Sequence, residues 1–82
     1  MFLAKIRVTL KSKVNDPQGH TVLESLRTLG FSNVTDVRIG KYIEVCVDEV
    51  DEKKADHQIC TMCDQLLANT VIEEFQYDIE PI

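Results

Sequence analysis

The sequence predicts an α+β fold in which a four-stranded antiparallel sheet carries two helices on one face. Four segments alternate apolar and polar residues, two repeat apolar residues at helical spacing, and they follow in the order βαββαβ. Each helical segment has one apolar stripe, so each should cover one face of one sheet. Right-handed crossovers then favour a ferredoxin-like two-layer sandwich or a close variant, formed by residues 1–82 as a single domain.

The first predicted strand runs from Phe2 to Lys11. Its inward face is formed by the even-numbered apolar residues Phe2, Ala4, Ile6, Val8 and Leu10. The odd-numbered residues are charged or polar except Leu3, which is typical of a strand with one exposed face.

The first helix is predicted to begin near Asp16. Asn15 or Asp16 can cap it, and Pro17 suits its first position because the missing N–H is not needed there. Its apolar stripe consists of Val22, Leu23, Leu26 and Leu29. Gly30 should end the helix, because glycine tolerates the left-handed conformation after the last turn, and Phe31 can fold back on that turn.

A hairpin is predicted at the centre of the domain. Its strands are Val34 to Ile39 and Tyr42 to Val50, and both alternate apolar and polar residues. The pair Gly40-Lys41 between them suits a tight turn.

The second helix is predicted to open at Asp51, Glu52 or Asp56 and to close at Asn69. Its apolar stripe consists of Ala55, Ile59, Met62, Cys63, Leu66 and Leu67. The last strand, Val71 to Glu80, should end at Pro81. Its inward residues are Val71, Phe75, Tyr77 and Ile79, with Glu73 as the exception.

Composition narrows the classes of partner. The net charge of −5 argues against a nucleic acid, and against an anionic membrane surface, as the binding partner of this chain. We see no signal-peptide core and no apolar run of the ~20 residues that span a bilayer. The three cysteines are an odd count, so free thiols in a reducing cytoplasm are the simplest interpretation.

The small size of the chain favours oligomerisation, because a short chain buries little surface by itself. The second sheet face is predicted to mix charged, polar and apolar side chains. It is either an exposed face or a contact with another subunit. Its predicted members are Lys5, Arg7, Thr9, Val34, Asp36, Arg38, Tyr42, Glu44, Cys46, Ile72, Glu74 and Gln76.

No catalytic or metal-binding set emerges from the residues. Cys60 and Cys63 form a C-x-x-C pair in mid-helix, where a core role for Cys63 is favoured over a zinc or redox site. His20 and His57 are expected on the solvent side of the helices. The carboxylates of the last strand, Glu73, Glu74, Asp78 and Glu80, are expected to form a solvated edge.

Arg38 and Lys41 are two cations close together in an acidic chain. They either meet acidic groups of a partner or pair within the chain with Asp36 or Glu44. The residues alone leave both alternatives open.

Three motifs carry a resemblance to a known family: Asp16-Pro17-Gln18-Gly19, Asp36 to Lys41 followed by Glu44, and Leu66 to Glu73. Together with the length and the element order, they resemble the PurS family, the small subunit of phosphoribosylformylglycinamidine synthase. The resemblance covers essentially the whole chain. Cys60 departs from it and receives no inherited role.

The resemblance implies a non-catalytic subunit of a carbon–nitrogen ligase in purine biosynthesis. It implies a cytoplasmic complex in which a large synthetase subunit binds ATP and substrate, with Mg, and a glutaminase subunit releases ammonia from glutamine. This chain would dimerise or form a higher homo-oligomer, bridge the other two subunits, support ammonia transfer and bind no cofactor itself. The candidate contact residues are Asp16, Gln18, Gly19, Arg38, Lys41, Asn69, Thr70 and Glu73.

Two other functions compete with this expectation. A regulatory domain of βαββαβ type would bind an amino acid at a dimer interface without further subunits. A metal chaperone would carry C-x-x-C between the first strand and the first helix, where this chain has Asn15-Asp16-Pro17.

Overall fold

The structure is a computed structural model that describes all residues, 1–82. It contains a three-stranded antiparallel sheet, one helix packed on that sheet, and one helix that projects from its end. The α+β class is therefore confirmed, but the four-stranded sheet is wrong. The elements are β1 (Phe2–Leu10), α1 (Pro17–Thr28), β2 (Gly40–Val47), α2 (Glu52–Met62), a π-helical turn (Cys63–Leu67) and β3 (Glu73–Pro81).

Strand β1 lies at the centre of the sheet, between β2 and β3. Ile6 lies opposite Ile43 on one side and opposite Tyr77 on the other. Residues that lie directly opposite one another on neighbouring strands point to the same face of a sheet, so these three side chains share the inner face. The predicted inward residues of the first strand are confirmed at Phe2, Ala4, Ile6 and Val8, which are all buried.

Helix α2 and the π-helical turn cover the inner face of the sheet. The buried cluster consists of Ala4, Ile6, Val8, Ile59, Cys63 and Ala68. The predicted stripe of this helix is correct at Ala55, Ile59 and Cys63, and Leu67 is half-buried against the core. It is wrong at Met62, which is 36% exposed, and at Leu66, which is 82% exposed. The wider π-helical turn rotates the last residues around the axis, so Leu66 points outward and Ala68 is buried instead.

The predicted second strand, Val34 to Ile39, does not form. Its backbone donors are used elsewhere: Ile39 N–H donates to the Asp16 carboxylate, and Val37 N–H donates to the Asp36 carboxylate. The carbonyl of Val34 accepts from the Arg27 guanidinium. With its polar backbone groups satisfied in this way, the segment makes no ladder with the sheet.

The predicted hairpin turn at Gly40-Lys41 is also wrong, because both residues belong to β2. Gly40 lies opposite Thr9, and Lys41 lies opposite Val8. A Cβ atom on Gly40 would lie 2.3 Å from the Val8 carbonyl oxygen, so glycine permits the close approach of β2 to β1. The glycine serves strand pairing rather than a turn.

Helix α1 has the predicted ends but not the predicted position. Asp16 caps it, Pro17 opens it, and Gly30 follows it with φ of +107°. We call residues Asp16 to Ile39, which comprise α1 and the segment that returns to the sheet, the arm. No residue of α1 belongs to the buried cluster, and its only buried residue is Gly19. The expectation of two helices on one face of the same sheet is therefore wrong within this chain.

The arm makes the molecule elongated. Its principal extents are 50 × 27 × 14 Å and its radius of gyration is 16.1 Å. A compact chain of this length has a radius of gyration of about 12 Å. Neither helix is long and apolar enough to cross a membrane.

The outer face of the sheet carries ion pairs between β1 and β3. Lys5 lies 3.2 Å from Glu80, and Arg7 lies 3.2 Å from Asp78. These charged side chains are exposed, so each pair contributes little to stability. Of the predicted members of this face, Val34, Asp36, Arg38 and Ile72 are not in the sheet at all.

The last strand begins at Glu73, two residues later than predicted. Asn69 starts a turn in which its carbonyl accepts from the N–H groups of Ile72 and Glu73. Val71 lies in this turn and is 79% exposed, so its predicted inward position is wrong. Phe75, Tyr77 and Ile79 lie on the inner face as predicted, and Pro81 ends the strand.

Candidate functional site

The candidate contact residues gather at one end of the sheet. There β1 ends while its two antiparallel neighbours begin, so Leu10 lies opposite Glu73 and Thr9 lies opposite Gly40. The root of the arm and the Asn69 turn meet the sheet at the same end. We call this region the junction. It is formed by Asp16, Gln18, Gly19, Arg38, Lys41, Asn69 and Glu73.

Asp16 ties the two ends of the arm together. Its Oδ1 accepts from Gly19 N–H at 3.0 Å, which caps α1, and its Oδ2 accepts from Ile39 N–H at 3.0 Å. These bonds, from Ile39 first and Gly19 second, with the nearby charge of Arg38, hold the pKa of the Asp16 carboxyl below its usual value. Asp16 is therefore a structural anion at the junction.

Gly19 allows the arm to close on itself. A Cβ atom at this position would lie 2.3 Å from the Val37 carbonyl oxygen and 2.8 Å from Asp16 Oδ2. Real Cβ atoms do not make contacts this short. Glycine is therefore required at this position for α1 and the return segment of the arm to lie so close together.

Glu73 links the Asn69 turn to β2. Its carboxylate accepts from Asn69 N–H at 2.7 Å, and its other oxygen lies 3.8 Å from Lys41 Nζ. The Glu73 side chain is only 16% exposed, whereas that of Lys41 is 59% exposed. Lys41 thus pairs with a residue that the sequence did not suggest, since Asp36 and Glu44 were the predicted partners.

Two shallow clefts lie on either side of Asp16, where the arm joins the sheet. One, of about 300 Å³, is lined by Asp16, Gln18, Lys41 and Glu73 together with backbone of the sheet end. The other, of about 430 Å³, is lined by Asp16, Gly19 and Arg38 with the loop after β1. The junction is therefore a notched polar surface rather than an enclosed pocket.

Arg38 and Thr70, the two remaining candidate contact residues, are both exposed. Arg38 is exposed and makes no salt bridge within the chain. Thr70 lies in the exposed turn after Asn69 and makes no side-chain hydrogen bond. The structure brings Arg38 to the cleft beside Asp16 and leaves Thr70 at the edge of the junction.

The residues considered for chemistry do not assemble into a reactive site. Cys63 is fully buried in the core, as predicted, and Cys60 is exposed. Burial raises the pKa of the Cys63 thiol, which makes it less reactive. His20 lies 3.1 Å from Glu24 on exposed α1, and no three histidine, cysteine, aspartate or glutamate side chains lie close enough to hold a metal ion.

Sequence reasoning missed two features of the surface. One is the exposure of α1, where Leu29 is 73% exposed and Val22 is 38% exposed. The other is a bond from the Tyr77 hydroxyl to the Asp56 carboxylate at 2.9 Å, which joins β3 to α2. Burial and this bond raise the pKa of Tyr77. The apolar stripe of α1 was visible in the sequence, but no signal in it separates a helix on its own sheet from one without a partner.

Comparison with known proteins identifies the family. The family model described as PurS, phosphoribosylformylglycinamidine (FGAM) synthase, matches residues 3–81. The chain belongs to the PurS family. The resemblance drawn from the three sequence motifs is thereby confirmed, and the family match favours it over the amino-acid-binding regulatory domain.

The PurS relatives cover this chain almost completely. The PurS subunit of Synechocystis is 52% identical over 78 residues, which is 95% of this chain and 78% of the relative. The PurS subunit of Bacillus subtilis is 43% identical over 82 residues, which is 100% of this chain and 96% of the relative.

Solved PurS structures share the fold. That of B. subtilis PurS is 42% identical, with a TM-score of 0.87 over 99% of this chain and 100% of that one. That of Methanocaldococcus jannaschii PurS is 36% identical, with a TM-score of 0.88 over 100% and 99%. A chain in the structure of PurLQS from Thermotoga maritima is 33% identical, with a TM-score of 0.88 over 96% of each. Because these structures align with 96–100% of this chain, the aligned region includes the projecting arm.

Proposed function

We propose that this chain is the non-catalytic small subunit of phosphoribosylformylglycinamidine synthase in purine biosynthesis. In this role it bridges the synthetase and glutaminase subunits and supports the transfer of ammonia between them. One observation carries the proposal: the chain matches, over nearly its whole length, a chain of the T. maritima structure titled PurLQS. The M. jannaschii relative is likewise described as one of the subunits of formylglycinamide ribonucleotide amidotransferase in the purine biosynthetic pathway.

The junction is the surface we assign to partner contact. Arg38 has no salt bridge within the chain, and the clefts on both sides of Asp16 offer polar backbone and side-chain groups. A cation at the rim of an interface steers association and fixes orientation, because it pairs with an acidic group on the partner. Asp16, Gly19 and Glu73 act indirectly, because they hold the arm and the Asn69 turn in the shape that the partner meets.

Catalysis belongs to the other subunits in this proposal. ATP and Mg are bound by the synthetase subunit and glutamine by the glutaminase subunit, while this chain binds none of them. A shielded path for ammonia needs a tight interface between two active sites and no nucleophile from the bridging chain. The complex works in the cytoplasm, and the small subunit enters it as a homodimer or a higher homo-oligomer.

Reconstitution tests the proposal. The synthetase and glutaminase subunits are mixed with ATP, Mg, glutamine and substrate, and product is measured as this chain is titrated in. Glutamine-dependent turnover is expected only when the chain is present. Full turnover without it would overturn the proposed role.

A charge reversal tests the assignment of the junction. Arg38→Glu should raise the concentration of chain needed for half-maximal turnover by about tenfold, as for the loss of one interfacial charge pair. Lys54→Glu is the matched control, because it makes the same charge change on the exposed start of α2, at the other end of the sheet. Equal titration curves for the two variants would remove Arg38 from the interface.

A further inference from the structure

We propose that the Asn69 turn inserts into an apolar pocket with an acidic rim on one of the two larger subunits. Val71 and Leu66 are the apolar anchors, and Lys11, Lys13 and Arg38 meet the carboxylates of the rim. The proposal depends on the proposed function, in which this chain contacts those two subunits. Three observations carry it: a turn of fixed shape, exposed apolar side chains beside it, and cations around it that have no carboxylate partner.

The turn is held in one shape by the groups of Asn69. Its carbonyl accepts the N–H of Ile72 at 3.1 Å and that of Glu73 at 2.7 Å, and its side-chain oxygen accepts the N–H of Val71 at 3.2 Å. The N–H of Asn69 donates to the Glu73 carboxylate at 2.7 Å. A segment whose shape is fixed before binding loses little conformational freedom in the complex, which favours affinity.

Large apolar side chains are exposed on both sides of Asn69. Leu66 is 82% exposed, Val71 is 79% exposed and Ile72 is 40% exposed. Leu66 points outward because the π-helical turn rotates the end of α2, and such turns occur frequently at functional sites. Apolar side chains that are exposed as a group, rather than singly, indicate an interaction surface.

Cations without a carboxylate partner lie at the same end of the sheet. The N–H of Lys11 donates to the Ile72 carbonyl at 2.8 Å, so Lys11 lies beside the turn. Lys13 and Arg38 line the larger cleft of the junction. None of these three cations makes a salt bridge within the chain.

The carboxylates of the junction are already engaged within the chain. Asp16 and Asp36 accept backbone N–H groups, and Glu73 binds the Asn69 turn and faces Lys41. The cations therefore keep their charge for acidic groups outside the chain, even though the chain as a whole carries a net charge of −5. Complementary charges at the rim of an interface raise the association rate and fix the orientation.

A different subunit, rather than a second copy of this chain, fits the turn. The turn needs an apolar pocket for its anchors and carboxylates around that pocket for its cations. The acidic hollow between α2 and β3 is lined mainly by charged side chains, so it offers no apolar pocket. An apolar hollow beside α1 has no carboxylate at its rim, since it is lined by Pro17, Gln18, Thr21, Val22 and Ile39.

Binding to the separate subunits tests the anchors. The chain is immobilised, and the synthetase and glutaminase subunits are passed over it one at a time. Val71→Asp should weaken binding to one of them about 30-fold, as for the loss of a residue at the centre of an interface. Val50→Asp is the matched control, because Val50 is 91% exposed at the opposite end of the sheet, and it should bind like wild type.

A second variant guards against a local effect of the new charge. Leu66→Ser adds no charge and should weaken binding to the same subunit by a smaller factor. Val71 and Leu66 both lie outside the buried cluster, so circular dichroism should show an intact sheet in each variant. Wild-type affinity of Val71→Asp and Leu66→Ser for both subunits would overturn the proposal.

Salt dependence tests the acidic rim. Lys11→Gln combined with Lys13→Gln should slow association with that subunit about tenfold at low salt, and the effect should vanish at high salt because ions screen the attraction. Lys53→Gln combined with Lys54→Gln is the matched control, since these cations also lack salt bridges but lie at the start of α2. Equal association rates for the two double variants would overturn the acidic rim.

Two further results identify other occupants or other failures. Light scattering of the free chain should give the same mass for wild type and Val71→Asp. A lower mass for Val71→Asp would assign the turn to a contact between copies and overturn the proposal. A wild-type chain that binds neither subunit would overturn the proposed function itself, whereas normal binding that ignores Val71, Leu66 and the lysines would overturn only the role of the turn.

Discussion

The carboxylate of Asp16 accepts the N–H of Ile39, a residue 23 positions away, while its other oxygen caps the helix that begins next to it. One side chain thereby closes the arm at its root. The bond also removes Ile39 from strand pairing, which explains why the predicted hairpin is absent. The junction and the projecting arm both depend on this pair of hydrogen bonds.

We predict that Asp16→Ala loosens the arm without unfolding the sheet. The substitution leaves the N–H groups of Gly19 and Ile39 without their acceptor, and caps of this kind contribute measurably to helix stability. The melting temperature should fall by about 5 °C. Hydrogen exchange should accelerate in the arm and stay unchanged in β1. Equal acceleration in both would show that the arm and the core open together.

The contribution of Asp16 should depend on pH in a defined direction. Its pKa is lower in the folded chain than in the unfolded chain, so the ionised carboxylate stabilises the fold above the unfolded value of about 3.9. This stability is lost as the pH falls through the folded pKa. The stability difference between wild type and Asp16→Asn should therefore be largest near neutral pH and shrink in acid. A difference that is constant with pH would contradict the assigned role of the charge.

The sequence predicts local structure well where one residue determines it. The cap at Asp16, the stop at Gly30, the inward residues of β1 and the core position of Cys63 all follow from short-range chemistry, and all are present. The failures arise from longer-range competition. Val34 to Ile39 alternates like a strand, but side chains 7 and 23 residues away take its polar groups. Only the family resemblance identifies the candidate contact residues of the junction, because nothing in their spacing along the sequence shows that three strand ends and a helix meet there.

We predict that Gly19→Ala destabilises the arm, although alanine usually favours a helix. The new Cβ would lie 2.3 Å from a backbone oxygen of Val37, which cannot rotate away as a side chain does. Helix propensity offsets up to about 1 kcal/mol of the resulting strain, leaving a net loss of about 1–2 kcal/mol. Urea unfolding measures this loss. Thr21→Ala serves as a control in the same helix, and a Gly19→Ala protein more stable than wild type would show that the return segment can move.

The three thiols should separate into two classes. Cys46 and Cys60 are exposed, whereas Cys63 is fully buried and its pKa is raised by burial. A disulfide reagent should label two thiols rapidly in the native protein and the third only after unfolding. Cys60→Ser should leave stability unchanged, while Cys63→Ala should cost about 1 kcal/mol through loss of core contacts. Rapid labelling of all three thiols would show that the π-helical turn opens readily.

Glu73 should contribute more than its ion pair with Lys41. The pair spans 3.8 Å with Lys41 largely exposed, so Lys41→Met should cost about 0.5 kcal/mol or less. Glu73→Ala should cost about 2 kcal/mol, because it also removes the charged acceptor 2.7 Å from Asn69 N–H. Combining the two substitutions in a double-mutant cycle isolates the ion pair, and the coupling should be small beside the loss from Glu73 alone. A coupling as large as that loss would mean that Lys41, rather than the Asn69 turn, is the main partner of Glu73 at the junction.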